Sequence, residues 1–395
     1  MTVIRFKQFT KPQILRSIRR PLLTAFFRRF EPELAAASLH APDPAAPEEI
    51  YVQSLTTLLL SPEKLPDALT EALFAIDEMS QPRAQERLEA AVEDAGLVID
   101  DREHCSAAEL ALSVWLADAS LLAATHNQHR MVRLSAFAHF RGRGQPDQQM
   151  LNCLPDADRL VGFIATLDAW FARHGRGTRS TRVEVYPLDG EYWFLIRHGN
   201  RFTRTPVVDQ ERTEVIHFRP EKDDVAVFSP EQDEIRINTR TRGERELYRR
   251  QLGVLLREDE EHFCEAQTYT LQPLRNQGLD ALATEDVAGI DKVLLREVEL
   301  VMENGLGETT IVAADDLLRY GFSNRTQESL PECGRIRRAA FEFHFTDSVR
   351  PSRVEIRLPN VLKVGRACDA RLVNRFIAAR QFRVPPGRPR PQCSR

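Results

Sequence analysis

Residues 335–358 read RIRRAAFEFHFTDSVRPSRVEIRL, and the spacing of their apolar side chains decides how the C-terminal part of the chain folds. Phe341, Phe343 and Phe345 occupy every second position of the first run. The second run, Val354–Leu358, continues the alternation. A period of two residues is typical of a β-strand with one buried face. The stretch therefore predicts an antiparallel hairpin with one apolar face and one polar face.

Arginine and lysine are concentrated at the two ends of the chain. Residues 335–395 contain fifteen basic and four acidic side chains, and residues 1–30 contain eight basic and no acidic ones. Since the whole chain has a net charge of −4, the segment between these ends carries a net charge of −23. An acidic body with two basic ends indicates a polyanionic or acidic partner.

The basic hairpin and the helix predicted after it supply the candidate binding residues. We expect Arg337, Arg353 and Arg357 to form a stripe on the face of the hairpin opposite the phenylalanines. Nucleic-acid binding needs several such cations on one face. The candidate residues for binding nucleic acid or an acidic protein partner are Arg337, Arg353, Arg357, Lys363, Arg366, Arg371 and Arg375. The acidic body of the chain itself is a third candidate for these charges, because charge fixes the sign of a partner and not its identity.

The composition argues against several classes of protein. No CxxC pair is present, so neither a zinc ribbon nor a redox motif is supported. No apolar run approaches the roughly 18 residues that a membrane-spanning helix needs. These features predict a cytoplasmic protein with free thiols and no membrane span, and no motif indicates a resident cofactor. The six cysteines lie far apart, at positions 105, 153, 264, 333, 368 and 393.

Changes in hydrophobic periodicity along the chain predict an α+β fold. Helical spacing dominates the first part of the chain, whereas a period of two begins near Thr181. Each β-rich module is expected to end in a helix. The predicted segments are a basic amphipathic N-terminal segment (1–34), a helical domain (49–176), a β-meander with a helix (181–258), a basic α+β module (262–383) and a disordered tail (384–395). In the first segment we expect Phe26, Phe27 and Phe30 to pack on the body while the arginines are solvated.

One strand–turn–strand–helix segment resembles the core of PD-(D/E)xK nucleases. Asp224 starts a predicted strand, and the return strand ends just before a predicted helix. In that family an Asp and an E-x-K triplet hold a metal ion and polarise water. The resemblance implies that Asp224 is the first carboxylate, with Asn238 and Arg240 standing where the family has Glu and Lys. Glu244 or Glu246 would then be a displaced second carboxylate, and Mg²⁺ or Mn²⁺ would be the cofactor.

A second short motif also suggests phosphate chemistry. Arg197-His198-Gly199, followed by Arg201, resembles the phosphohistidine motif of histidine phosphatases. The resemblance implies attack of the imidazole on phosphorus, with arginines neutralising the oxygens. That family also needs a second histidine beside an acidic residue, and no later histidine matches this pattern. The nuclease-like segment is therefore the main enzymatic alternative.

From these observations we expect a non-enzymatic nucleic-acid-binding or adaptor subunit of a bacterial multi-protein system. It would act inside the cell, through its basic C-terminal face and within a hetero-complex. The alternatives are a metal-dependent nuclease with a divergent core at residues 224–246 and a structural protein–protein interaction subunit.

Overall fold

The computed structural model describes residues 6–143, 156–209, 212–302, 307–320, 334–365 and 370–385. Of the candidate binding residues, Arg366 lies outside the described residues, as does most of the tail predicted to be disordered. The chain divides into two compact units, Met1–Val132 and Arg133–Arg395. Helices come first and are followed by a large antiparallel sheet, so the predicted α+β class is confirmed. Among the described residues, no helix combines the length and the apolar character that crossing a bilayer requires.

The first unit is helical. The aromatic residues predicted to face inward do so: Phe26, Phe27 and Phe30 are buried, and the Phe26 ring centroid lies 4.9 Å from that of Trp115. Its helices are α1 (Pro12–Arg16), α2 (Arg20–Arg28), α3 (Glu31–Ala36), α4 (Glu48–Leu59), α5 (Asp67–Met79), α6 (Pro82–Asp94), α7 (Ala107–Ala117) and α8 (Ala119–Val132). The amphipathic N-terminal segment is thus part of the core of this unit.

The second unit contains an eleven-stranded antiparallel sheet with helices on its faces. The strands are β1 (Ala136–Gly142), β2 (Arg182–Leu188), β3 (Glu191–Gly199), β4 (Thr203–Asp209), β5 (Arg212–Phe218), β6 (Glu221–Ser229), β7 (Glu234–Asn238), β8 (Phe263–Cys264), β9 (Ile290–Val301), β10 (Thr309–Ala313), β11 (Arg335–Phe345), β12 (Ser352–Arg357) and β13 (Val361–Val364). The helices are α9 (Ala157–Arg173), α10 (Arg242–Arg257), α11 (Pro273–Asn276), α12 (Leu317–Tyr320) and α13 (Ala370–Ala379).

The strand order is β10-β9-β11-β12-β13-β1-β7-β6-β3-β2, with β8 paired to β1. The two β-rich modules predicted at 181–258 and 262–383 therefore share one continuous sheet, and β1 lies between them. Strand β1 and helix α9 belong to the second unit, although the sequence grouped them with the helical segment 49–176. Strands β4 and β5 form a separate two-stranded sheet.

The two halves of the large sheet are covered on opposite faces. Consecutive residues of β13 show this, because Val361 packs against the core beneath α9 and α10, whereas Leu362 belongs to the core beneath α13. Side chains alternate between the faces of a strand, so these two helical layers lie on different sides. In the C-terminal half, the face opposite α13 carries the polar side chains of β9, β11, β12 and β13.

The core beneath α13 depends on the alternating phenylalanines of β11. Phe343 is buried, and its ring makes an edge-to-face contact with Phe376 of α13 at 5.1 Å. We expect Phe343→Ala to lower the free energy of unfolding by about 3–5 kcal/mol, because removal of the ring leaves a cavity. Urea unfolding followed by circular dichroism measures this. Ile311→Ala, at an exposed position of β10, is the control and should change stability by less than about 1 kcal/mol. Equal losses of stability in both variants would contradict the assignment of this core.

Candidate functional site

One arginine organises the polar face of the C-terminal half-sheet. Arg338 of β11 forms ion pairs with Glu297, with Glu299 at 2.9 Å and with Glu355 at 3.2 Å. A register shift between Ile336 and Arg338 leaves Arg337 as an extra residue in β11. This bulge brings two consecutive arginines to the same carboxylate, because Arg337 also pairs with Glu299.

The outer cations share the same carboxylates. Arg353 lies 2.9 Å from Glu297, and Arg357 lies 3.2 Å from Glu355. The side chains of Arg337, Arg353 and Arg357 are 50%, 59% and 56% exposed. Lys363 of β13 is also exposed and lies beside Glu355 in the strand register. We call this group the arginine platform; it comprises the cations Arg337, Arg338, Arg353, Arg357 and Lys363 and the carboxylates Glu297, Glu299 and Glu355.

Two of the platform carboxylates, Glu297 and Glu299, are largely covered and yet have lowered pKa values. Burial alone would raise the pKa of Glu299, but hydrogen bonds from Arg338 and Arg337 outweigh it and lower the pKa. The same balance, with Arg353 and Arg338 as neighbours, lowers the pKa of Glu297. Five cations against three carboxylates leave the platform with two excess positive charges, and the exposed part of the group is cationic.

Two cavities adjoin the platform. The one beside Arg337 has a volume of about 480 Å³ and is lined by Arg275, Arg335 and Arg337 together with polar side chains that include Gln267 and Thr270. The other, of about 360 Å³, is lined by Arg353, Lys363, Glu355 and Ser135 together with Val364 and Gly365. Platform cations therefore border recesses that a polar ligand can enter.

The seven candidate binding residues suggested by the sequence do not all lie on one face of the sheet. Arg337, Arg353, Arg357 and Lys363 lie together on the platform face. Arg371 and Arg375 are on α13, which covers the opposite face of the sheet, and Arg371 pairs there with Asp189. Arg366 is not among the described residues. The candidate set from the sequence did not include Arg338 or the three carboxylates, although the alternation of acids in β9 against arginines in β11 was an available signal for cross-strand pairs.

A second group of charges is enclosed beneath α9 and α10. Asp224 of β6, Glu244 of α10 and His198 of β3 are 1%, 0% and 0% exposed. Their ligand-type atoms all lie within 4.8 Å of one another, an arrangement that resembles a metal site. Glu244 is the third helical residue after the N-cap Thr241 and forms a capping box with it, which explains its position.

Lys222 occupies the centre of this buried cluster. Its Nζ lies 3.0 Å from Asp224 Oδ1 and donates to Glu244 Oε2 at 2.7 Å. Arg176 Nη1 pairs with Glu244 at 2.8 Å, so two cations already balance the two carboxylates. Tyr248 donates its hydroxyl proton to Asp224 Oδ2 at 2.8 Å. The atoms of His198, Asp224 and Glu244 that could bind a metal ion lie close together, but the Lys222 ammonium already occupies the position that a cation would take. The arrangement therefore does not fit a resident metal ion.

The other residues implied by the nuclease resemblance lie elsewhere. Asn238 pairs with Val225 in the sheet, so it faces away from the side of Asp224, and its amide donates to the Ala136 carbonyl. Arg240 is exposed in the loop before α10. Glu246 is on the outer side of α10, where it pairs with Arg249 and Arg250. Of the implied ligands, the structure thus brings together only Asp224 and Glu244.

The motif that resembles a phosphohistidine site is also divided between two faces. His198 is fully buried, stacks on Phe171 at 3.9 Å and contacts Asp224 at 3.0 Å. Arg197 points to the other face of the sheet and pairs with Glu184 at 2.8 Å. An imidazole in this environment has no access to a phosphate substrate.

No protein-family model matches this chain, and no curated protein matches its sequence. The assignment of function therefore depends on the geometry alone.

The buried cluster predicts how stability changes in acid. Burial raises the pKa of Glu244, but hydrogen bonds from Lys222, Thr239 and Thr241 outweigh it and lower the pKa from 4.5 to about 2. A carboxyl group with a lowered folded-state pKa stabilises the protein above its unfolded pKa, and this stability is lost as the pH falls from 4.5 towards 2. Glu244→Gln should therefore show a shallower loss of unfolding free energy over this range in urea titrations at several pH values.

The control for this acid titration must be a carboxylate outside the cluster. Glu246→Gln is unsuitable, because the pKa of Glu246 is also about 2. Asp158→Asn, in the first turn of α9, is the better choice and should keep the wild-type slope. A wild-type slope in Glu244→Gln would contradict this role of Glu244.

Proposed function

We propose that this protein binds nucleic acid through the arginine platform and acts as a non-enzymatic subunit. The observation that carries the proposal is the arrangement of three half-exposed guanidinium groups around the carboxylates that hold Arg338. A guanidinium has five N–H donors, so each of these arginines has donors left for a ligand after pairing with one carboxylate. The planar fork of an arginine matches two oxygens of a phosphate group.

The platform carboxylates support phosphate binding by fixing the arginines. A free arginine side chain loses up to about 2 kcal/mol of rotamer entropy when a ligand immobilises it. Arg353 and Arg357 are already paired with Glu297 and Glu355, so part of this entropy is lost on folding and not on binding. The carboxylates are the less exposed partners, and a phosphate approaching from solvent therefore meets the cations first.

The location and partners of the protein are part of the same proposal. The thiols of Cys105 and Cys264 are free, which supports a reducing cytoplasmic compartment. An adaptor role within a hetero-complex predicts stoichiometric companions when the protein is purified from its native source. An acidic protein is the alternative partner for the platform, since a carboxylate also fits the guanidinium fork.

The platform proposal is tested by binding at several salt concentrations. Wild-type protein and Arg353→Gln/Arg357→Gln are titrated into labelled DNA and RNA, with fluorescence anisotropy as the measurement. We expect the variant to bind more weakly and to show a log–log salt slope that is smaller by about 2, or about 1 for each phosphate that it no longer neutralises. The control is Arg371→Gln/Arg375→Gln, which removes the same charge from α13 and should leave the slope unchanged.

Three results would contradict the platform proposal. If the wild-type protein binds neither DNA nor RNA at low salt, the proposal that the platform binds nucleic acid is wrong. Binding of polyglutamate that disappears in Arg353→Gln/Arg357→Gln, without any nucleic-acid binding, would assign the platform to an acidic protein partner. Equal weakening of nucleic-acid binding in the platform variant and the α13 control would show that only net charge matters.

The geometry supports nucleic-acid binding better than metal-dependent nuclease activity, because Lys222 and Arg176 already neutralise the charges of Asp224 and Glu244. We expect Mg²⁺ and Mn²⁺ neither to raise the melting temperature nor to support cleavage of single- or double-stranded substrates. Calorimetry and gel assays on the wild-type protein measure the two effects. Cleavage that needs the metal and disappears in Asp224→Asn, with the fold intact by circular dichroism, would instead establish the nuclease.

A further inference from the structure

A two-stranded arm leaves the large sheet between β3 and β6. Strands β4 and β5 pair with each other from Thr203 opposite Phe218 to Asp209 opposite Arg212, and they form a sheet of their own. An isolated two-stranded hairpin buries little of its surface. The side chains of residues 213–218 are all exposed, and several large apolar side chains of the arm are accessible: Phe202 (63%), Val208 (78%), Val215 (36%), Ile216 (45%) and Phe218 (38%).

One face at the base of the arm combines aromatic and cationic groups. Arg204 is directly opposite His217 in the register, and Phe202 and Arg219 lie just beyond the end of the paired strands, on the side of the large sheet. The Phe202 and His217 rings are nearly parallel, with centroids 6.2 Å apart and planes inclined by 15°. The guanidinium carbon of Arg219 lies 5.9 Å from the centre of the Phe202 ring. These four side chains form a patch on one face of the arm, which we call the arm patch.

The base of the arm is held in a fixed position by backbone contacts. Arg219 Nη1 donates to the carbonyl oxygens of Gly175 and Asn200 at 2.7 and 2.6 Å. There is no space for a side chain at position 199, where the arm leaves β3, since a Cβ atom on Gly199 would lie 2.3 Å from the Arg176 carbonyl oxygen. The patch is therefore presented on an anchored hairpin and not on a loose loop.

The arm patch is cationic without local compensation. No acidic residue occurs between Tyr192 and Val208 or between Val215 and Pro220. Among the described residues, none forms an acidic ion pair with Arg201, Arg204 or Arg219, in contrast to the shared carboxylates of the platform. Arg201 and Arg204 are exposed, so their charges face solvent.

We propose that the arm patch binds single-stranded nucleic acid, with a base stacked on Phe202 and phosphates bound by Arg204 and by the exposed Arg201, which adjoins the patch in sequence. An exposed ring flanked by arginines without acidic partners is the arrangement by which single strands are held without sequence preference, because every base has a flat face for stacking. A double helix has its bases already stacked on each other and offers no free face to Phe202. This inference rests on the proposed function, because it assumes that the partner is a nucleic acid. It concerns a surface separate from the platform and specifies that the nucleic acid is single-stranded.

Binding of a labelled single-stranded oligothymidine and of a duplex of equal length tests the proposal. We expect Phe202→Leu to weaken binding of the single strand by about five- to a hundredfold, with little change in the salt slope, because stacking is removed and the arginines still bind phosphate. Phe202→Tyr should retain most of the affinity, since the ring remains. Duplex binding should be unaffected in both variants. Phe218→Leu, on the opposite face of the same hairpin, is the matched control and should bind like the wild-type protein.

The outcomes separate this inference from the platform proposal. Loss of single-strand binding in Phe202→Leu, with both single-strand and duplex binding unchanged in Arg353→Gln/Arg357→Gln, would support the arm inference and contradict the platform proposal. Unchanged single-strand affinity in Phe202→Leu, together with a reduced slope in the platform variant, would overturn the arm inference alone. If the wild-type protein binds neither oligonucleotide, both proposals are wrong. Phe202 is largely exposed, so melting temperatures of the variants should match that of the wild-type protein and exclude unfolding as the cause.

Discussion

The second unit depends on strand β1, which is hydrogen-bonded on both of its edges. One edge pairs with β13 through Ala136–Ala138, and the other pairs with β7 through Ala138–Arg141. In the described part of the chain, β1 is the strand through which the N-terminal and C-terminal halves of the sheet are joined. Ala138 and Phe140 lie in the core beneath α9 and α10, whereas His139 between them points to the opposite face, so a shift of one residue would replace apolar side chains of that core with a polar one.

A buried polar network on β1 reinforces this junction. His139 Nδ1 donates to Glu234 at 2.7 Å, Tyr269 donates to His139 Nε2 at 3.1 Å, and Arg383 pairs with Glu234 at 2.7 Å. Burial lowers the pKa of His139, which keeps the imidazole neutral. Burial opposes ionisation of Glu234, but the hydrogen bond from His139 and the nearby arginines lower its pKa to about 2. The network thus links β1, β7 and the segment that follows α13 with all its principal groups satisfied.

Basic side chains paired with carboxylates are inaccessible in the buried cluster but accessible to a ligand on the arginine platform. Lys222 is surrounded by carboxylates beneath two helices, so its charge is neutralised and has no access to a ligand. On the platform, no helix among the described residues of the second unit covers the carboxylates, and each carboxylate is shared by two arginines, one of which is at least half exposed. The position of a helical layer on one face of each half-sheet therefore decides which charges are structural and which are available for binding. The arm patch differs from both, because its arginines have no acidic partner among the described residues.

The α+β class, with helices before strands, and the apolar face of the C-terminal hairpin were predictable from the sequence alone. This was possible because a period of two or 3.6 residues is a local property of the chain, as in the alternation of Phe341, Phe343 and Phe345. The sequence also located the basic residues Arg337, Arg353 and Arg357, but not the acids that hold them. The contacts of Arg338 with Glu297 and Glu299, and the position of Lys222 between Asp224 and Glu244, follow from the tertiary fold. The physical reason is that strand order and helix packing bring together residues far apart in the sequence, and no local periodicity encodes which strands become neighbours.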